Sequence, residues 1–202
     1  LAVDQGFAGD QQTYNDPANA LLPQVLDRKR GLPITLSMLF VAIARRVDVA
    51  AYPINLPGHV VVGVAGPERP VVVDPFHAGI LLDDHALARR LEAIPDGQIT
   101  YHRAMLRPSS TMDVVRRLLN NLTRDYHALG DARNALWTVE LKLALPNSEP
   151  SDHRTRGDLL AQVGRFGEAS TAYETYLDVT AGATDDAAEV RQAAIRARSR
   201  LN

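Results

Sequence analysis

His59 and Asp74 stand fifteen residues apart, each in a short apolar run bounded by turn residues. On neighbouring strands such a pair can hydrogen-bond, the carboxylate fixing the tautomer and orientation of the imidazole. A nucleophile delivered beside that imidazole by a helix N-terminus would complete a triad for acyl transfer. A thiol suits the place, because a helix N-terminus stabilises the thiolate. The sequence offers the helix: it starts at Pro33, and from Ile34 to Val47 the chain is nearly all apolar. It does not offer the thiol, because the 202 residues contain no cysteine. That absence excludes disulfides, thiolate metal sites, iron–sulfur clusters and a cysteine nucleophile. The hydroxyls near the helix start are Thr35 and Ser37. Thr35 is rotated roughly 200° from Pro33, whereas Ser37 returns to nearly the same face about one turn on. Ser37 is therefore the candidate substitute nucleophile. The ordinary expectation for it is a hydrogen bond to the carbonyl one turn back.

Other chemistries find less support. The histidines (His59, His77, His85, His102, His127 and His153) include no pair at HxxxH spacing, so no metal is expected. His77 and Gly79 are expected to shape the turn after the Asp74 strand. Gly63-Val64-Ala65-Gly66 reads as a hairpin turn and matches no phosphate-cradling loop, and no cofactor is expected. Lys and Arg number 22 against 24 Asp and Glu, a net charge of −2. Nucleic-acid binding without sequence preference needs a basic surface, so no nucleic-acid partner is expected. No apolar run approaches the ~20 residues that span a bilayer, and no signal peptide opens the chain. The expected setting is the cytoplasm, away from membranes.

These residues must be positioned by the elements around them. Residues 1 to about 50 read as helical, with starts at Asp16-Pro17 and Pro33. Residues 50 to about 108 hold three strands, Ala51–Leu56, His59–Val64 and Pro70–Val73, separated by Pro-Gly and Gly-Pro turns. Val60-Val61-Val62 suggests a strand buried on both faces. Asp83-Asp84 caps a short helix ending near Ala93, and residues 95 to 110, with Pro95, Gly97 and Pro108, read as a boundary loop. The remainder repeats itself. Leu129-Gly130 with Ala135 recurs as Val163-Gly164 with Ala169, an offset of 34 residues. That is the period of a tetratricopeptide (TPR) helix–turn–helix. Glycine ends the first helix of each unit, and the small alanine lets the second approach it. Two units are predicted, 113–146 and 150–180, then a closing helix from Asp185 to Arg198. Arg156 falls where an apolar residue is expected, and Trp137 is off the usual aromatic position.

The order of motifs resembles the transglutaminase-like superfamily. Gly31-Leu32-Pro33 through Ala51-Tyr52 looks like its core helix, Pro57-Gly58-His59 like its histidine strand, and Val73-Asp74-Pro75-Phe76 like its aspartate strand. Pro33-Ile34-Thr35-Leu36-Ser37, Leu56-Pro57-Gly58-His59, Asp74-Pro75-Phe76-His77-Ala78-Gly79 and Leu106-Arg107-Pro108 are similar to a bacterial SirB-type branch with TPR helices. The resemblance covers almost the whole chain. It implies further helices before Gly6-Phe7, and the opening Leu1 fits a piece of a longer protein. It also gives the missing cysteine a place. Pro33 stands where the family puts its nucleophile, leaving a remnant dyad of His59 and Asp74.

The expected fold is therefore α+β. A papain/transglutaminase-like core (a buried helix against an antiparallel sheet) occupies 1–108, and an all-α TPR-like array occupies 111–202. The expected function is a non-catalytic interaction or regulatory module that binds another protein or peptide through the TPR-like helices. The competing reading is an acyl transferase or amidohydrolase that uses His59–Asp74 without a cysteine.

Overall fold

The first elements are set by where proline removes a donor. The computed structural model describes residues 1–67, 69–94 and 99–201; Pro95 and Gly97 lie outside the described residues. A short helix α1 (Ala2–Gln5) leads into strand β1 (Ala8–Gly9). Asp16 caps the next turn by accepting from Ala18 N, with Pro17 in the first position. The predicted helix does not run on from there. It stops as a 3-10 turn, Pro17–Asn19, and helix α2 starts afresh at Leu22–Arg28. Pro23 explains the break, since it has no N–H to give the Asn19 carbonyl. That carbonyl instead accepts from Leu32 N at 3.1 Å and from the Thr35 hydroxyl at 2.8 Å.

Strand β2 (Arg30–Gly31) pairs with β1 in parallel and feeds helix α3 (Pro33–Arg46). Thr35 Oγ1 accepts from Leu32 N at 2.9 Å, which closes the helix start. Pro33, Ile34, Thr35, Leu36 and Ser37 are all buried, so the first turns are enclosed as expected. The second half is one-sided: Val41 and Ala44 are buried while Ile43 is exposed.

Four antiparallel strands follow in the order β3 (Ala51–Leu56), β4 (His59–Val64), β5 (Val71–Asp74) and β6 (Ile80–Leu82). Sequence reading missed β6, because three residues are too few to show alternation. Val41 and Ala44 of α3 pack with Ala51, Val62 and Val73 on one sheet face. Ile54, Leu56, Val61, Val72 and Leu82 form the other, with Leu87 of helix α4 (Asp84–Glu92) and Leu106 of a 3-10 turn, Arg103–Leu106. β4 is thus buried on both faces.

Helix α5 (Thr111–Ala128) opens the helical array of α6 (Ala132–Leu143), α7 (Pro150–Gln162), α8 (Phe166–Val179) and α9 (Ala187–Ser199). The repeat marks take matching roles. Gly130 and Gly164 end α5 and α7 at φ 71° and 80°, a backbone that L side chains rarely adopt. Ala135 and Ala169 are fully buried. Arg156 is accommodated by Glu140 at 3.6 Å and Glu168 at 3.9 Å.

The chain divides into two compact units, Leu1–Leu118 and Leu119–Asn202. The division falls inside α5. The reason is local. Ser109 N donates to the Pro53 carbonyl at 2.9 Å and Ser109 Oγ accepts from Asn55 N at 2.9 Å. Arg117 then donates to the Leu56 carbonyl at 2.7 Å, so the opening turns of α5 are tied to β3.

Candidate functional site

The site is built where β4 begins and β5 ends. Leu56 and His59 face each other across a two-residue Pro57-Gly58 turn, with Gly58 at φ 68°. A tight turn of this kind demands a positive φ, which glycine supplies without strain. It fixes His59 as the first residue of β4. Asp74 closes β5 and caps the following 3-10 turn, Pro75–His77. Its Oδ1 accepts from Phe76 N at 3.1 Å and from His77 N at 3.3 Å.

Asp74 Oδ2 gathers the rest of the cluster. It accepts from His59 Nε2 at 3.0 Å, His77 Nδ1 at 2.8 Å and Arg90 Nη1 at 2.5 Å. The Asp74 side chain is wholly buried. Burial alone would push its carboxyl up; the hydrogen bonds of His59 and His77 and the Arg90 charge outweigh that and hold it well below the usual carboxylate range. Asp74 is therefore an anion, and an anion only accepts. That assigns the proton of His59 to Nε2 and that of His77 to Nδ1, and in a neutral His59 ring leaves Nδ1 as the lone-pair nitrogen. Phe76 braces both rings edge-on, at 5.9 Å from His59 and 5.0 Å from His77, and meets Tyr14 at 6.0 Å. Gly9 lets the chain pass this close: a Cβ there would lie 2.4 Å from the Phe76 ring.

The structure thus brings His59 and Asp74 together. It adds His77, expected only as a turn residue, and Arg90, which no spacing in the sequence pointed to. Both act through a shared carboxylate, a relation that no local pattern encodes. His59, Asp74 and His77 offer three potential ligand atoms within 4.8 Å of one another. The coordinating oxygen among them is already occupied by the Arg90 guanidinium, whose Nη1 also lies 3.4 Å from His77 Nδ1. The donor set fits a hydrogen-bonded cluster better than a metal centre.

Ser37 departs from expectation. Its hydroxyl donates to the Val60 carbonyl at 3.3 Å and not to the carbonyl one turn back. The residue is fully buried, so the nearest acceptor without its own helix partner lies across on β4. This ties α3 to β4 one residue from His59, but commits the hydroxyl to the backbone. Thr35 is likewise used at the helix start. Pro33 is the first residue of α3 and is buried. Among the described residues, the cavities beside Val72, Gly9, Pro57 and Phe40 are not lined by Pro33, Ser37, His59 or Asp74.

Comparison with known proteins follows this division. A model of the transglutaminase-like superfamily matches residues 1–120, and a tetratricopeptide-repeat model matches residues 122–202. A UPF0162 protein of Xylella fastidiosa is 29% identical over 177 residues, which are 86% of this chain and 63% of that protein. A UPF0162 protein of Pseudomonas aeruginosa is 30% identical over 162 residues, 79% of this chain and 58% of that one. The UPF0162 protein YchA of Escherichia coli is 26% identical over 163 residues, 79% and 60% of the respective lengths. The chain thus spans about 60% of the length of these relatives. No solved structure matches it.

Proposed function

The chain belongs to the transglutaminase-like superfamily and carries tetratricopeptide repeats, and from that premise we propose that it is a non-catalytic member acting as a protein-interaction module. We place it in the SirB-type branch, on the motifs from Pro33 to Pro108, and in the cytoplasm of a bacterial cell, with a regulatory role. The observation that carries the reading is Pro33. A thiol mechanism needs a thiolate to form the acyl-enzyme. Proline at the opening of α3 has neither a side-chain nucleophile nor an N–H. The two hydroxyls nearby are spent, Thr35 on the helix start and Ser37 on the Val60 carbonyl. The His59–Asp74 pair then serves architecture: it pins the start of β4 to the end of β5. Tetratricopeptide arrays commonly hold a peptide or helix on one surface, so the partner is a protein or peptide engaged by the second unit.

Turnover is the first test. The purified chain is incubated with glutamine-containing peptides and a primary amine, and ammonia release and amine incorporation are followed. The expected rate equals that of His59→Ala. Turnover that is lost in His59→Ala and kept in Thr35→Val overturns the reading in favour of an acyl transferase. The interaction half is tested by capture on the immobilised full chain. A specific partner is expected to be lost in variants that disturb the repeat packing and kept in His59→Ala.

A further inference from the structure

The free edge of the sheet carries features that the dyad does not use. β6 ends the strand order, and among the described residues no strand pairs with its outer side. Such an edge presents unpaired N–H and C=O groups, which proteins ordinarily guard with charge or proline. Ile80, Leu81 and Leu82 provide neither, and Ile80 and Leu81 are exposed at 48% and 69%.

Beside this edge lies a cavity of about 620 Å³. Its size is within the usual range for ligand sites, ~300–1,000 Å³. Val72 and Leu82 of the sheet contribute its apolar floor, and Leu106 a wall. Arg69, Arg103 and Arg107 also line it. Of the two acids there, one caps a helix and the other is paired with an arginine. Asp83 accepts from Ala86 N at 2.7 Å as the cap of α4. Asp84 accepts from Tyr101 Oη at 2.9 Å and from Arg103 Nε and Nη2 at 3.0 and 2.6 Å. Asp84 also feels the charge of Arg69, yet among the described residues neither Arg69 nor Arg107 forms an ion pair. An unpaired strand edge, an apolar floor and a net positive charge, three arginines against Asp83 and Asp84, therefore meet in one place.

We propose that β6 and this cavity form a docking site for an extended peptide segment carrying an apolar residue next to an acidic one. The segment adds a strand to β6, and its backbone meets the free edge groups. Side chains alternate along a strand, so one residue reaches the floor of Val72 and Leu82 while its neighbours stay at the rim. A carboxylate there answers Arg69 and Arg107; a basic peptide is repelled. This surface belongs to the first unit and does not depend on the repeat-mediated binding proposed above.

Short random peptides displayed on phage are panned against the full chain, and an enriched peptide is synthesised with a fluorophore for anisotropy titration. The expected consensus pairs an apolar with an acidic residue. Arg107→Glu is expected to weaken binding by roughly tenfold or more. Ala104→Trp, an exposed position lining the cavity, is expected to do the same by filling it. Circular dichroism of both variants should match the parent. The proposal is overturned by the absence of a consensus, by a basic consensus, or by unchanged affinity in both variants. It also falls if sedimentation shows a dimer that Leu81→Lys disrupts, because a second copy then takes the edge.

Discussion

Asp74→Ala is expected to cost the first unit about 3–5 kcal/mol, the range seen when one partner of a buried charged network is removed. A whole domain is stable by only ~5–15 kcal/mol, so the variant should unfold far more readily in urea. The size follows from what the carboxylate holds. Two backbone N–H groups, two imidazoles and one guanidinium donate to it, and alanine would take that acceptor from all five, with the Phe76 N–H and the His59 ring buried. Asp74→Asn should rescue little, because its amide NH2 would face cationic and N–H donors. The same carboxylate dictates a pH dependence. Its folded-state pKa lies below its unfolded value of about 4. Its contribution is therefore fully present above that value and is lost as pH falls from there towards the folded-state pKa. Acid titration followed by far-ultraviolet circular dichroism should show the parent losing stability below about pH 4. Asp74→Ala should lack that component. Parent and variant with the same acid profile would refute the assignment.

Gly157→Leu should disrupt the second unit, by about 3 kcal/mol or more on the scale of overpacked cores. Gly157 lies inside α7, where glycine costs ~1 kcal/mol relative to alanine. It is needed there for packing, because a Cβ would sit 2.6 Å from two ring atoms of Tyr173 on α8. That ring cannot retreat easily: Tyr173 is buried and its hydroxyl donates to Asp158 at 2.9 Å. Gly157→Ala should be milder, since the better helix former offsets part of the overlap. Trp137 makes the measurement simple. It is the single tryptophan and lies on α6 of the second unit, so its fluorescence in a urea titration reports that unit. An unchanged midpoint for Gly157→Leu would show that α7 and α8 do not pack as described.

These two residues also show what the sequence could and could not reveal. His59 and Asp74 were legible because turn residues and apolar runs place them at the ends of adjacent strands. The repeat was legible because Gly130, Ala135, Gly164 and Ala169 each perform a backbone or packing task that few other residues can. Arg90 was not, since its value lies in the register of α4 against β5, which is decided by tertiary packing. Gly157 escaped notice because a glycine inside a helix looks like a simple cost until the ring above it is known. The helix expected at Asp16-Pro17 failed for a readable reason, the missing N–H of Pro23. Ser37 failed for an unreadable one, a carbonyl on another strand.

The placement of the unit division within α5 has a practical consequence for anyone dividing the gene. A cut after Leu118 severs consecutive helical hydrogen bonds and leaves both products with a frayed stump. A fragment that keeps α5 whole for the repeats instead carries along Val114, which is buried in the whole chain, and takes from Arg117 its carbonyl partner at Leu56. Soluble expression of the repeats alone would then call for a polar residue at Val114, whereas Arg117 is already charged and can stay.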